Sequence, residues 1–309
     1  MNKNIAVIMS TFNGSEFILE QLTSIRNQSL KVDKVVICDD FSTDNTCNII
    51  DKFITENELS DTWTLIRNTE NIGWRKNFHQ LIKNINFDYI FLCDQDDIWF
   101  NDKVSCMVEC LVENPNIEVL TSNFQQFSKS DEILFTNNLE NEKKEFFTWD
   151  ISFYNSVERP GCSYLIRGSF IRDLNRSPLF DGQNAHDAVI WSVSCVRGTL
   201  YNLDQVLIFW RRHQSSATLN NNKLKVGDEL IVDHCRTINR IGISRELSDS
   251  INYIYLDRLL DFYKKRLALA ENGSFFKFMF FSIYNMNLFK GKKDWLNDFL
   301  YIIGKVVKR

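Results

Sequence analysis

The sequence predicts an α/β fold: a mostly parallel sheet with helices on both faces, followed by a C-terminal helical region. Short apolar runs alternate four times with stretches of helical periodicity between residues 4 and 114, the rhythm of a parallel sheet built from strand–helix units. A polar cluster follows each of those apolar runs, where open α/β sheets bind ligands, outside the carboxyl ends of the strands. From about residue 225 onward the pattern is helical only. Two regions are expected, residues 1–224 and residues 225–309.

The first apolar run, NIAVIMS (4–10), ends in the turn TFNG and passes into EFILEQLTSIRNQ, whose apolar residues recur at helical spacing. KVVICDD (34–40) reads as the second strand, and STDNTCNIIDKFITE after it offers Ser and Thr N-caps between 42 and 46. TWTLIRN (62–68) with NIGWRKNFHQLIKNI (71–85), and DYIFLCD (88–94) with NDKVSCMVECLVEN (101–114), complete the four units. Residues 125–150 are polar, acidic and weakly periodic, and read as a surface excursion. RPGCSYLIRGSF (159–170) reads as a turn and a strand, HDAVIWSVSCV (186–196) as a helix, and LYNLDQVLIFWRRH (200–213) as strands ending in basic residues and a histidine.

A chain of 309 residues, 44% hydrophobic and 25% charged, has the composition of a globular enzyme and is long enough to bury a full core. Twenty-five Phe against 11 Gly and 3 Pro is unusual. A net charge of −4 argues against nucleic acid as a partner for the chain as a whole. The eight cysteines form no CxxC pair and lie mostly inside apolar runs, which predicts reduced core thiols of a cytosolic protein. The apolar stretch at the N-terminus is too short for a secretory signal, and no run reaches the roughly 18 residues of a spanning helix.

The stretch FLCDQDDIWF (91–100) places Asp94, Asp96 and Asp97 where the fourth strand emerges. Two unit charges about 4 Å apart repel by roughly 1 kcal/mol in water and about 4 kcal/mol at an effective dielectric of 20. A bound cation is the natural compensation; capping the helix that begins near Asn101 uses one acid, not three. Thr11 and Asn13 follow the first strand, Asp39 and Asp40 the second, and Asn68 and Asn71 the third. One site built from four strand ends is the economical reading.

The ordered set STFNG, CDDFSTDNT, NIGWRKNF and DQDD resembles the nucleotide-sugar domain of the family-2 glycosyltransferases, which have the GT-A fold. The pairing of DQDDIW with HDAVIW and WRRHQSSAT is similar to the bacterial rhamnosyltransferase-like members of polysaccharide biosynthesis, and the likeness covers about residues 4–215. The resemblance implies a Mg²⁺ or Mn²⁺ ion held by Asp96 and Asp94, with Asp94 also toward the ribose and Asp97 positioning the donor. It implies that Asp39, with Asp40 beside it, recognises the base, since a carboxylate accepts the imide N–H of uracil or thymine. Thr11 and Asn13 are expected to line base and ribose; Asn71, Gly73 and Lys76, with Arg75 as the alternative to Lys76, are expected near the nucleotide. Gly73 lets backbone approach closely. The family places its catalytic base at the start of the HDAVIW helix, which makes Asp187 that residue here and gives His186 an orienting role. His213 is expected on the metal and Arg212 on the diphosphate, by likeness to a Y-R-x-H pattern that this chain alters to Trp210-Arg211-Arg212-His213. His79 and His234 fall within helical patterns and are read as structural. No QxxRW motif of processive synthases is present, so a single transfer per encounter is expected.

The leading donor is dTDP-rhamnose, the alternative a UDP-hexose or UDP-N-acetylhexosamine, and the expected acceptor a glycan on a polyprenyl diphosphate. Residues 274–289 are too short and polar to span a bilayer, and in the tail Leu296, Phe299, Leu300, Ile303 and Val307 share one helical face. The last twenty residues hold six basic and two acidic side chains. A peripheral contact with the cytoplasmic face of the inner membrane is the expectation, with a core helix pair or a homodimer interface as the other reading. Two rival enzymes fit less well. A nucleotidyltransferase lacks its glycine-rich basic loop in STFNGSEF, and an HD-type phosphohydrolase is all-helical. A non-catalytic nucleotide-sugar-binding module is the third alternative.

Overall fold

The computed structural model describes residues 4–128, 145–213 and 228–307. The chain opens with β1 (Ile5–Thr11), α1 (Ile18–Arg26), β2 (Lys34–Asp39), α2 (Thr46–Glu56), β3 (Trp63–Arg67), α3 (Trp74–Asn84) and β4 (Tyr89–Cys93). These four strands pair in parallel in the order β3-β2-β1-β4. β1 is apolar and buried on both faces, as the central strand of a covered parallel sheet must be. Its register sets Thr11 level with Asp39 on β2, which in turn stands level with Arg67 on β3.

Next come β5 (Ile98–Trp99), α4 (Lys103–Glu113), β6 (Val119–Phe127), β7 (Phe146–Thr148), β8 (Tyr164–Arg167), α5 (Gly168–Arg176), α6 (His186–Arg197) and β9 (Leu200–Arg211). The sheet continues β4-β8-β6-β9-β5, with β7 also on β9. β8 runs antiparallel to both β4 and β6, and β5 and β7 antiparallel to β9, so the second half of the sheet is mixed. The excursion expected from residue 125 begins later: Gln125, Gln126 and Phe127 belong to β6 and pair with Phe209, Trp210 and Arg211. The two glutamines are exposed, so polarity masks a segment held by its backbone ladder. The 200–213 segment is one long strand, with register shifts against Ser122–Gln125 that bend it around the end of the sheet.

One face of the sheet carries Leu22 of α1, Ile50 of α2 and Val104, Met107 and Leu111 of α4. The other carries Phe78 and Leu81 of α3, Phe170 of α5 and Ile190 and Trp191 of α6. All eight cysteines are free, and five of them, Cys38, Cys93, Cys110, Cys162 and Cys195, are buried.

The tail comprises α7 (Asp228–Glu246), α8 (Tyr253–Asn272), α9 (Phe275–Asn285) and α10 (Lys292–Val307). α7 ties it to the sheet, with Ile243 in the sheet-side core and Ile241 among the tail's own apolar residues. The expected boundary between residues 224 and 225 lies outside the described residues. The fully buried Arg266 of α8 bonds Asp294 and Asp298 of α10, and Asp298 also meets His234 of α7 at 3.1 Å. These pairs fix the rotation of α10. Phe299, expected on an interfacial face, instead stacks on Trp295 against the tail core, while Leu296 and Leu300 stay exposed. The Val307 side chain lies outside the described residues. The larger apolar exposure is on α9, where Phe276, Phe280, Ile283 and Tyr284 are 85%, 64%, 70% and 69% exposed. Among the described residues, no helix is long and apolar enough to cross a membrane.

Candidate active site

The ends of β1, β2 and β3 form a cross-linked rim. Asp39 is buried and accepts from Thr11 Oγ1 (2.9 Å), Ser42 N (2.8 Å) and Ser42 Oγ (2.5 Å). Asn13, in the left-handed region at φ 47°, accepts Thr43 N at 2.9 Å and so stitches the first loop to the second. Asp40 is turned into the third loop, accepting from Asn68 Nδ2 (3.0 Å), Ile72 N (2.9 Å) and Gly73 N (2.8 Å). Asp40, expected on the donor, makes bonds that hold the loop presenting Asn71, Gly73 and Lys76. Gly73 has φ 84°, which a side chain rarely tolerates, and its N–H also donates to Asn71 Oδ1.

The acidic loop after β4 is drawn together with the end of β9. His213 Nε2 lies 2.6 Å from Asp96 Oδ2, and its ring packs on Phe17 at 4.7 Å. Arg211 donates its backbone N–H to Asp97 Oδ1 (3.0 Å) and its Nε to the Asp96 carbonyl (2.7 Å), and pairs with Glu20. The arginine brought to the acids is thus Arg211. Arg212, the expected diphosphate ligand, faces the other side of the strand end and stacks on Trp210 at 4.5 Å. Asp97, expected to position the donor, is completely buried, and its bond from Arg211 N fastens β9 beneath the loop. Burial first, then the Asp96 charge, pushes its carboxyl up to about 7. Burial, followed by Asp97 and Asp96, holds the partly accessible Asp94 well above the ordinary carboxylate range.

Asp187 reaches the same rim from α6. Its charge acts on Asp94, and a Cβ placed on Gly161 would meet Asp187 Cβ at 3.2 Å, so Gly161 lets the turn before β8 lie against it. Asp187 Oδ1 accepts the Ala188 N–H at 2.8 Å, while the residue preceding the helix is Ala185. His186 is buried, stacked on Phe78 at 3.9 Å, and burial lowers it to about 4, so it is a neutral imidazole beside the acid. His79 bonds the Phe180 carbonyl and His234 bonds Asp298, both structural contacts.

Which residues suit a divalent ion follows from donor chemistry. Asp94, Asp97 and the Cys162 thiol lie within 4.8 Å of one another, but burial holds Cys162 well above its ordinary pKa, and a neutral thiol is a poor ligand for a hard cation. Asp94, Asp96 and His213 offer carboxylate oxygens and an imidazole nitrogen at the same rim, His213 lying 2.6 Å from Asp96. Carboxylate oxygens and an imidazole nitrogen are donor types that Mg²⁺ and Mn²⁺ accept.

Sequence reasoning passed over several residues of this rim. Gln95, between the acids, accepts Phe12 N (2.9 Å) and donates to Phe12 O (3.0 Å), joining the first and fourth strand ends. That approach needs Gly14, where a Cβ would sit 2.3 Å from Gln95 Oε1. Ser42 and Asp44 receive backbone N–H groups of Asn13 and Ser15. Phe12 and Phe41 expose aromatic faces beside Asp39, and Phe41 is held at φ 67°, a strained conformation of the kind found at binding sites.

Residues 6–174 match the family model for glycosyl transferase family 2. Over 228 residues, 70% of this chain and 75% of the relative, the sequence is 30% identical to the dTDP-rhamnosyl transferase RfbG of Shigella flexneri. It is 22% identical over 265 residues to an uncharacterized glycosyltransferase of Haemophilus influenzae, covering 81% of this chain and 79% of the relative. The fold is similar to that of S. aureus TarS 1–349 in complex with UDP-GlcNAc (TM-score 0.61, 16% identity, 96% and 79% of the two chains). It is also similar to that of the mannosyltransferase PcManGT of Pyrobaculum calidifontis in complex with GDP-Man and Mn²⁺ (TM-score 0.56, 15% identity, 100% and 87%).

Proposed function

Since the chain belongs to glycosyltransferase family 2, we propose that it is a metal-dependent, inverting enzyme that transfers rhamnose from dTDP-rhamnose to a hydroxyl of a glycan acceptor. The observation that carries this reading is the convergence of Asp94, Asp96 with His213, and Asp187 on one strand-end rim, from elements about a hundred residues apart. The rhamnosyl donor is supported by the relation to the dTDP-rhamnosyl transferase.

Asp39, oriented by Thr11 and Ser42, is the acceptor for the base imide, and the loop clamped by Asp40 closes over the nucleotide. Asp94, Asp96 and His213 would hold a divalent ion, which would supply Lewis-acid neutralisation of the diphosphate. Asp187 takes the proton of the acceptor hydroxyl. The oxygen bonds to the anomeric carbon as the bond to the diphosphate breaks, and dTDP leaves with the electron pair. One displacement inverts the anomeric configuration. Neutral His186, locked against Phe78, fixes the start of α6 and hence the direction of that carboxylate.

The acceptor we propose is a polyprenyl-diphosphate-linked glycan met at the inner leaflet. Four exposed apolar side chains on α9, with Lys265 and Lys277 beside them, suit a helix lying on anionic lipid. The test is a panel of dTDP- and UDP-sugars with Mn²⁺, reading nucleoside diphosphate release and product anomer by NMR. Release from dTDP-rhamnose that disappears in Asp96→Ala is the expected result; release with retained configuration, or unchanged in that variant, overturns the mechanism.

A further inference from the structure

A cavity of about 370 Å³ opens beside the rim, between the start of α3 and α7. Three cationic side chains line it: Arg75 and Lys76 from the first turn of α3, and Arg236 from α7. None of the acids at the ends of β1, β2 and β4 does. Its remaining wall is largely apolar, with Trp74, Ile231 and Val232.

The Arg75 guanidinium is stacked over Trp74 at 4.4 Å, and its Nε is enclosed with no hydrogen-bond partner. An enclosed donor left unpaired is unfavourable, and a guanidinium cannot relieve the cost by losing its proton. Burial and the charge of Arg236 both disfavour the Arg75 cation, and Asp187 and Asp233 only partly offset them. Two guanidiniums and an ammonium around one cavity call for an anion. The influence of Asp187 on Arg75 sets the cavity next to the proposed base, on the side of α6 and α7.

We infer that Arg75 and Arg236 form a binding site for the phosphate or diphosphate ester of the acceptor, beside Asp187 and separate from the donor's own phosphates. The inference rests on Asp187 acting as the base of the proposed transfer. Arginine forks suit phosphate oxygens, and the apolar wall suits the stem that a phosphate ester carries. The acceptor's anion then anchors it while its hydroxyl meets Asp187.

The experiment is isothermal titration of decyl phosphate, below its micelle concentration, into the full chain saturated with dTDP and Mg²⁺. Binding at one site is expected, weakened at least tenfold in Arg236→Gln and in Val232→Glu, with dTDP affinity within twofold of the parent. Val232→Glu alters the exposed cavity wall and separates loss of the site from a folding defect in the arginine variant. Competition between decyl phosphate and dTDP overturns the inference, because the anion site would then be the donor's; so does equal binding in both variants, or none in the parent. Failure of dTDP itself to bind refutes the transfer reading instead.

Discussion

Asp40→Asn tests whether this acid holds a loop or touches the donor. Asp40 is 2% exposed and receives three hydrogen bonds, from Asn68 Nδ2, Ile72 N and Gly73 N. An asparagine that keeps its carbonyl oxygen toward Asn68 and Ile72 retains two bonds without the charge, and points its amide N–H groups at Gly73 N. A hydrogen bond to a charged group contributes about 1.5–3 kcal/mol and a neutral one about 1 kcal/mol. Gly73 N keeps a second acceptor in Asn71 Oδ1 at 3.1 Å, which limits the desolvation cost. The sum is a loss of about 2–4 kcal/mol, or a fall of roughly 4–15 °C in the Tm of the nucleotide-free protein. Differential scanning calorimetry without ligand measures it, and titration with dTDP or UDP measures the consequence for binding. Affinity should fall by less than about tenfold, because the loop still closes part of the time. An unchanged ligand-free Tm together with a hundredfold loss of nucleotide affinity refutes the clamp and returns Asp40 to the donor.

The remaining predictions concern the base and the two buried cations. Asp187→Asn keeps the oxygen that accepts from Ala188 N, so donor affinity and Tm should hold while kcat falls by about 10²–10⁴, the usual contribution of a general base; turnover within threefold of the parent eliminates Asp187. Lys103 lies fully buried over the rings of Trp99 (4.8 Å) and Phe91 (5.5 Å), and burial lowers it to about 8 from an unfolded value of 10.5. The unfolded chain therefore binds more protons between pH 8 and 10.5, and the parent gains stability across that window. Lys103→Met should be the more stable form below pH 8, by at most about 3 kcal/mol, with the advantage shrinking as pH rises to 10.5. Urea unfolding of both proteins at three pH values decides it, a pH-independent difference counting against the argument. Arg266→Met strands Asp298, which is 1% exposed, and should cost about 3–5 kcal/mol in chemical unfolding; a loss under 1 kcal/mol means that the tail does not depend on this ion cluster.

The first four strands and helices were legible because each alternation carries two independent signals, an apolar run and a polar cluster at its end. The mixed half was not. β8 and β6 interleave between β4 and β9 by pairings more than forty residues apart, and no local pattern records which strand lies beside which. Within the site, Asp96 and His213 were both visible as residue types, and the structure sets them 2.6 Å apart. Arg211 and Arg212 could not be told apart, since a one-residue change in strand register exchanges their faces. Gln95 was hidden for a different reason: an amide between three acids looks like a spacer until the close approach permitted by Gly14 makes it a bridge. Asp40 and Asp97 show that an acid at a strand end is equally suited to binding backbone N–H groups, and sequence position does not distinguish an outward carboxylate from an inward one.

The charge layout itself constrains the chemistry. On one side of Asp187 stand Asp94, Asp96 and Asp97, with burial and neighbouring acids raising Asp94 and Asp97, and with His213, Arg211 and the deeper Lys103 beside them. On the other side stand Arg75 and Arg236, where burial and the neighbouring Arg236 both disfavour the Arg75 cation. The two faces of the sheet are held by apolar clusters, which leaves both charge groups at the rim available to ligands. The acid side is relieved by a cation and the basic side by an anion. A donor bringing its diphosphate with a divalent ion and an acceptor bringing its own phosphate satisfy both at once, and they leave the acceptor hydroxyl at the one carboxylate between them. The same layout predicts that the two ligands bind with positive coupling, each removing repulsion from the field around Asp187. A ternary affinity for decyl phosphate in the presence of dTDP and Mg²⁺ that is weaker than its binary affinity contradicts that prediction.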